Sequence, residues 1–421
     1  MRSHFRCIEC GATYRLDDAR YVCDCGELLE VVTDLASFRR SAEKWQARWE
    51  HRRHDAAFLR YKDVLLPDLP NERVVTLNEG DTPLYEADER VRAYCGVGTL
   101  WLKHEGLNPT LSFKDRGMVA GISWAAHVGA ARVICASTGD TSASMAAYAA
   151  RAGIPSAVLL PRGKVSDEQL SQAISSGARV LEVETDFDGC MRIVQELARR
   201  ASVYLLNSMN SIRIEGQKAI GIETLHQLGW RVPDYFVVPV GNAGNISALG
   251  KGLRELKELD LIDRLPRLVG AQSERANPLY RSFVNDFAPL EPVEAQTTVA
   301  SAMQIGSPVS FKKAVRELKA SNGLVEQVSE AEIMDARAVV DQSGIAICPN
   351  SATGVAAVRK LAVAGTIERD ARVVVMLTGH GAKFSASARR YYLDEASRFA
   401  NPPVAVEAKL ETVEAALGLG F

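Results

Sequence analysis

From Thr99 onward, short apolar or β-branched runs alternate with longer segments whose apolar residues recur at helical spacing, and no other feature restricts the fold as much. Candidate strands are TLWLKH at 99–104, RVICAS at 132–137, SAVLLP at 156–161, RVLEVE at 179–184, YFVVPV at 235–240, RLVGAQ at 267–272 and RVVVML at 372–377. Between them, stretches such as SASMAAYAARAG and MRIVQELARRA carry a period of about 3.6 residues. Strands this continuously apolar, separated by helices, predict a mostly parallel sheet covered on both faces. That is a doubly wound α/β architecture, here in two lobes. A chain of 421 residues, 47% hydrophobic, has room for two or three globular units and a large cleft.

Open α/β sheets bind ligands where the carboxyl ends of strands run into helix N-termini. Five loops at such places are rich in Gly, Ser, Thr and Asn: NPTLSFKDRG (108–117), ASTGDTSAS (136–144), LNSMNSIR (206–213), PVGNAGN (239–245) and LTGHG (377–381). In VVPVGNAGNISALGKG the amides from Gly241 to Ile246 can point at an anion beside a helix start. An ordinary βα turn would read the same way. Glu274 stands where a ribose-binding acid would, yet the glycine spacing is not G-x-G-x-x-G, which argues against a dinucleotide. Ser137, Thr138, Gly139, Asp140 and Thr141 offer more hydroxyls and amides than one helix cap needs, and so suggest a seat for a substrate carboxylate. Lys114, taken alone, reads as a solvated charge in the first turn of a helix. Its neighbours Phe113 and Arg116 could supply the desolvation and nearby cation that lower a lysine pKa far enough for Schiff-base chemistry.

Fifty Lys and Arg stand against 52 Asp and Glu, a net charge of -2, so no overall basic field draws the chain to nucleic acid or anionic lipid. The Trp-bearing stretch at 41–55 is diluted by Glu43, Glu50 and Asp55 and is expected to be a solvated helix with one packed face. The start MRSHFRCIEC has no apolar signal region and no stretch reads as a membrane span. A cytoplasmic setting without membrane or nucleic-acid partners is the expectation.

In order along the chain, NPTLSFKDRGM, STGDTSAS, LNSMNSIRIEGQK, VGNAGNI, CPNSATGVAA and LTGHGAKF resemble the threonine synthases, pyridoxal-phosphate enzymes of the tryptophan-synthase-β fold type II. The likeness runs from about residue 75 to 385, and STGDTSAS, TDFDGCM, ANPLY and AMQIGSPVS are similar to the plant-type branch. It implies that Lys114 forms the Schiff base with pyridoxal 5'-phosphate and shuttles protons. Phe113 flanks the ring, and Gly241, Asn242, Ala243, Gly244 and Asn245 cradle its phosphate. Thr378 meets the pyridine nitrogen, and Asp140 lies near the phenolic oxygen. The resemblance further implies that Ser137, Thr138 and Thr141 hold the α-carboxylate of O-phospho-L-homoserine, while Asn207, Ser208, Arg213 and Asn242 hold its phosphate. The implied products are L-threonine and phosphate, and the implied assembly is a homodimer. On this basis a large lobe comprises 34–115 and 212–421, and a small lobe 116–211.

Two positions depart from the family pattern. Asp140 replaces an asparagine, and a carboxylate cannot donate a hydrogen bond unless protonated. Leu111 replaces a glycine, so its turn must avoid positive φ or accept strain. Rival readings on the same scaffold are an amino-acid dehydratase, which would not need the second phosphate pocket, and a cysteate-forming synthase acting on phosphoserine. A regulatory paralogue that only binds ligand would not need Lys114, Thr378 and Arg213 together.

Four of the eight cysteines crowd the first 25 residues. Cys7-x2-Cys10-Gly and Cys23-x-Cys25-Gly resemble the two knuckles of a zinc ribbon spanning 1–33, although the second has one intervening residue in place of two. Structural zinc is the expectation, with reduced unmetallated thiols the alternative. Cys95, Cys135, Cys190 and Cys348 lie in apolar settings and are expected in the core.

Overall fold

The computed structural model describes residues 2–38, 41–137, 139–163, 167–200 and 203–419. Two compact units result, 1–383 and 384–421. Thirteen strands occur among the described residues of the first: β1 Ser3–Cys7, β2 Thr13–Arg15, β3 Leu29–Thr33, β4 Leu84–Glu86, β5 Thr99–His104, β6 Arg132–Ala136, β7 Ser156–Pro161, β8 Arg179–Val183, β9 Val203–Leu205, β10 Tyr235–Pro239, β11 Arg267–Ser273, β12 Leu324–Val328 and β13 Arg372–Leu377. They form three sheets ordered β2-β1-β3, β12-β11-β10-β13-β5-β4 and β8-β7-β6-β9.

The six-stranded sheet is parallel except for β4, which runs antiparallel to β5. The four-stranded sheet is wholly parallel. Each strand expected from its apolar run is present. All residues of β7 and β10 are buried, as a sheet covered on both faces requires. The order β10-β13-β5 sets three strand ends side by side and brings the loops after residues 104, 239 and 377 together.

Trp45 and Trp49 of helix Ala42–His51 are fully buried, with Trp49 5.3 Å from Tyr61 and 5.4 Å from Trp230 between ring centres. The expected packed face is therefore an aromatic cluster. Helix Lys114–His127 is enclosed along nearly its whole length. In the N-terminal module, β1 pairs antiparallel with both β2 and β3, and Gly11 (φ 73°) and Gly26 (φ 91°) make the turns that follow Cys10 and Cys25. Cys95, Cys135, Cys190 and Cys348 are all buried.

The second unit carries helices Ser385–Leu393 and Leu410–Leu417. No helix among the described residues is long and apolar enough to cross a membrane.

Candidate active site

Lys114 is the first residue of its helix, and the loop before it is sewn to the loop after β13. The Phe113 amide donates to the Thr378 carbonyl at 2.9 Å, the His380 amide donates to the Leu111 carbonyl at 3.1 Å, and Ser112 forms an antiparallel bridge with Gly379. Leu111 adopts φ 62°, so this leucine takes the strained alternative, at a cost of about 1–2 kcal/mol. Asp115 holds the turn: its carboxylate accepts from the Thr110 amide (2.7 Å), the Thr110 hydroxyl (2.5 Å) and the Ser144 hydroxyl (2.5 Å). Burial still raises the Asp115 pKa to about 6.

The half-buried Lys114 places Nζ 4.2 Å from the centre of the Phe113 ring and makes no hydrogen bond or ion pair among the described residues. Burial lowers its pKa to about 8, the Arg213 charge pushes the same way, and Asp140 opposes them. The expectation for Arg116 needs correction, because the nearby cation is Arg213. Arg116 turns into the core instead, where it bonds Glu105 (2.7 Å) and Glu223 (2.8 Å) beside Lys103, which is 2.6 Å from Glu223.

Beyond β10 the chain enters helix Gly244–Glu258 through Ala243 at φ 63°. None of the amides from Gly241 to Asn245 donates to a described residue. Asn245 uses its side-chain amide on the Pro239 carbonyl (2.6 Å), and the Asn242 backbone carbonyl accepts from the Ser310 amide (3.1 Å). A Cβ on Gly241 would come within 2.8 Å of the Ala302 carbonyl, so the neighbouring backbone leaves no room for a side chain there.

After β6, the Ser137 hydroxyl accepts from the Gly139 amide at 3.3 Å, Thr141 is the second residue of helix Asp140–Ala152, and Thr138 lies outside the described residues. Asp140 pairs with Lys383 at 2.8 Å, and the same ammonium donates to the Thr110 carbonyl at 2.8 Å.

Arg213 is 2% exposed on helix Ser211–Gln217, where the Asn210 side chain caps the amides of Ile212 and Arg213. Its Nη1 donates to the Leu206 carbonyl at 3.0 Å, its Nε has no partner, and it has no ion pair with a carboxylate among the described residues. Burial alone brings its pKa down to about 10. A guanidinium so enclosed and without an acid is poised for an anion from outside the chain. Ser208 is half-buried in the same loop. Asn207, by contrast, is occupied by the backbone of Ala136, which it meets at 2.7 and 3.0 Å in both directions.

The buried Thr378 hydroxyl lies 3.4 Å from the Ser351 hydroxyl, which also accepts from the Gly379 amide at 3.2 Å. Ser351, Cys348 beside it at 3.1 Å, and Lys383 are site residues to which the sequence reading gave no role. Their only signal was membership in CPNSATG and LTGHGAKF. Cys348 is buried as expected, yet it caps helix Pro349–Val363 at the site.

The residues present fit pyridoxal phosphate: a lysine at depressed pKa with no hydrogen bond or ion pair among the described residues, a run of amides that donate to no described residue, and a neutral hydroxyl held by a second one. A family described as pyridoxal-phosphate dependent enzymes matches residues 75–379. Threonine synthase 2, chloroplastic, of Arabidopsis thaliana is 43% identical over 95% of this chain and 81% of its own length. The threonine synthase of Methanocaldococcus jannaschii is 40% identical over 97% and 98%. Among solved structures, threonine synthase from Escherichia coli superposes with a TM-score of 0.72 at 19% identity, covering 98% of this chain and 94% of that one, which speaks to the fold. With cradle, lysine and hydroxyl in place and these relatives spanning almost its whole length, the chain belongs to the pyridoxal-phosphate dependent enzymes, in the group that contains these threonine synthases.

Proposed function

We infer that the protein is a threonine synthase, converting O-phospho-L-homoserine and water to L-threonine and phosphate. The observation that carries this reading is Arg213, buried with no acidic partner among the described residues and close enough to Lys114 to lower its pKa. A dehydratase on this scaffold would have no use for a second anion pocket. Phosphoserine is one methylene shorter, a difference that hydrophobic pocket contacts discriminate only modestly.

Pyridoxal phosphate, when bound, supplies the electron sink that acidifies the substrate hydrogens. Lys114 would hold it, the amides of Gly241 to Asn245 would cradle its phosphate, and Phe113 would flank its ring. Thr378, fixed by Ser351, would present a neutral hydroxyl to the ring nitrogen. Ser137, Thr138 and Thr141 would seat the α-carboxylate of the substrate, while Arg213, with Ser208 and Asn242, would hold its phosphate. Asn207 contributes to that loop by fixing its path along Ala136. With the substrate so fixed, the Lys114 amine takes the proton from Cα and then one from Cβ, and phosphate leaves from Cγ. Protons return to Cγ and Cα, and water adds at Cβ.

In this reading residues 116–211 form the small lobe, with 34–115 and 212–421 forming the large one. None of the eight cysteines is in a disulfide, which supports a reducing compartment such as the cytoplasm. The family likeness supports a homodimer, which light scattering checks. Phosphate release from O-phosphohomoserine and from phosphoserine, by the wild type and by Lys114→Ala, tests the assignment. Turnover of phosphoserine alone would overturn it.

A further inference from the structure

The sulfurs of Cys7, Cys10, Cys23 and Cys25 all lie within 4.8 Å of one another, with Cys7 to Cys25 and Cys10 to Cys23 each at 3.5 Å. A disulfide would need about 2.05 Å, whereas the edge of a tetrahedron with zinc–sulfur bonds of about 2.3 Å is about 3.8 Å. The Cys7 amide donates to the Ala12 carbonyl and the Cys23 amide to the Glu27 carbonyl, both at 2.8 Å, so each pair of thiols sits on its own closed turn. The Glu9 amide points at the Cys7 sulfur at 3.5 Å, as a donor to a thiolate does.

This module is built into the anion loop of the active site. Tyr21, two residues before Cys23, accepts with its hydroxyl from the Leu205 amide at 2.7 Å, at the start of the 206–213 loop. Leu29, just beyond the second turn, accepts with its carbonyl from the Ser211 hydroxyl at the other end. The same carbonyl takes Lys313 at 2.5 Å, Val31 takes Lys251 at 2.6 Å, and Lys312 joins Glu9 (3.0 Å) and Glu27 (2.6 Å), one from each cysteine turn. Arg213 lies in the first turn of the helix that this loop enters, and the segment from Leu205 to Ser211 is gripped at both ends by residues flanking the Cys23–Cys25 turn.

We propose that the four cysteines bind one zinc ion, and that this zinc braces the 205–213 loop so that Arg213 is preset for the phosphate of the substrate. The role given to Arg213 rests on the function inferred above; the metal and the brace do not. Tyr21 and Leu29 are positioning residues, acting through the loop and touching no reactant.

The test uses the full chain loaded with pyridoxal phosphate under reducing conditions. Elemental analysis after exposure to zinc and dialysis should find one zinc per wild-type chain and none in Cys10→Ser/Cys25→Ser. Hydrogen exchange, read by mass spectrometry, should quicken in that variant by about tenfold across 205–213 and stay unchanged across 241–250, because exchange follows the local opening that the lost support would ease. KM for O-phosphohomoserine should rise by a similar factor, with cofactor absorbance preserved. Tyr21→Phe keeps every thiol and should retain zinc while loosening only Leu205 and its neighbours, which decides the matter if the double variant fails to fold. Wild-type protein that takes up no zinc overturns the site. Zinc present with 205–213 exchange unchanged in Tyr21→Phe overturns the brace. Since exchange needs no substrate, failure of O-phosphohomoserine to react would count against the function alone.

Discussion

Lys114 and Arg213 are each unusual for the bond they do not make. An amine with a pKa near 8 is mostly neutral above that pH, whereas an ordinary lysine would still be charged to about 10.5. Because the folded pKa is depressed, the neutral amine is favoured as pH rises through 8. The rate at which apoenzyme takes up pyridoxal phosphate should therefore climb to a plateau near pH 8 to 9, which stopped-flow absorbance would show. Lys114→Ala should lower turnover by at least about a hundredfold, as loss of a positioned acid–base group does. Arg213→Lys keeps the charge but loses the fork, and should raise KM by about tenfold or more. Asp140→Asn should leave the cofactor bound and shift its absorbance, and it removes the ion pair to Lys383. An unchanged spectrum would count against contact at Asp140. Leu111→Gly should relieve the positive φ, and the gain of at most about 1 kcal/mol would appear as a higher urea midpoint with no change in its slope.

At the scale of elements, the network of Arg116, Glu105, Glu223 and Lys103 fastens helix Lys114–His127 to the floor of the site. Arg116→Met would leave two buried carboxylates sharing one lysine, and should cost about 3–5 kcal/mol in denaturant unfolding. This arginine was misread from sequence for a geometric reason. Two residues on an α-helix point about 200° apart, so the neighbour in DRG is the one cation in reach that cannot face Lys114. Arg213, about a hundred residues away, could be connected with Lys114 only through a motif. The long strands were legible because burial on both faces makes them continuously apolar. β9 is three residues long, and β12 (LVEQV) carries polar residues, so neither stands out from its surroundings. Ser351 was invisible for a different reason, since a serine whose task is to hold another hydroxyl has no composition or spacing of its own.

For the molecule as a whole, the N-terminal module shares buried bonds with three helices of the main body, so its loss should be felt throughout unit 1–383. If it holds zinc, prolonged chelation should lower the melting temperature by several degrees in calorimetry, and zinc should restore it. The sheet has a further consequence for the order in which the protein can come into being. β13 is the last strand synthesised, yet it lies between β10 and β5, and its far end carries Thr378 and the bridge to Ser112. Until β13 has emerged from the ribosome, β5 and β10 have no neighbour on their inner edges, and the Lys114 loop has nothing to be stitched to. A nascent chain therefore exposes two long apolar strand edges for most of its synthesis. The reactive amine gains its pocket only once β13 has been made, so a product terminated before that strand has no assembled site with which to capture the cofactor.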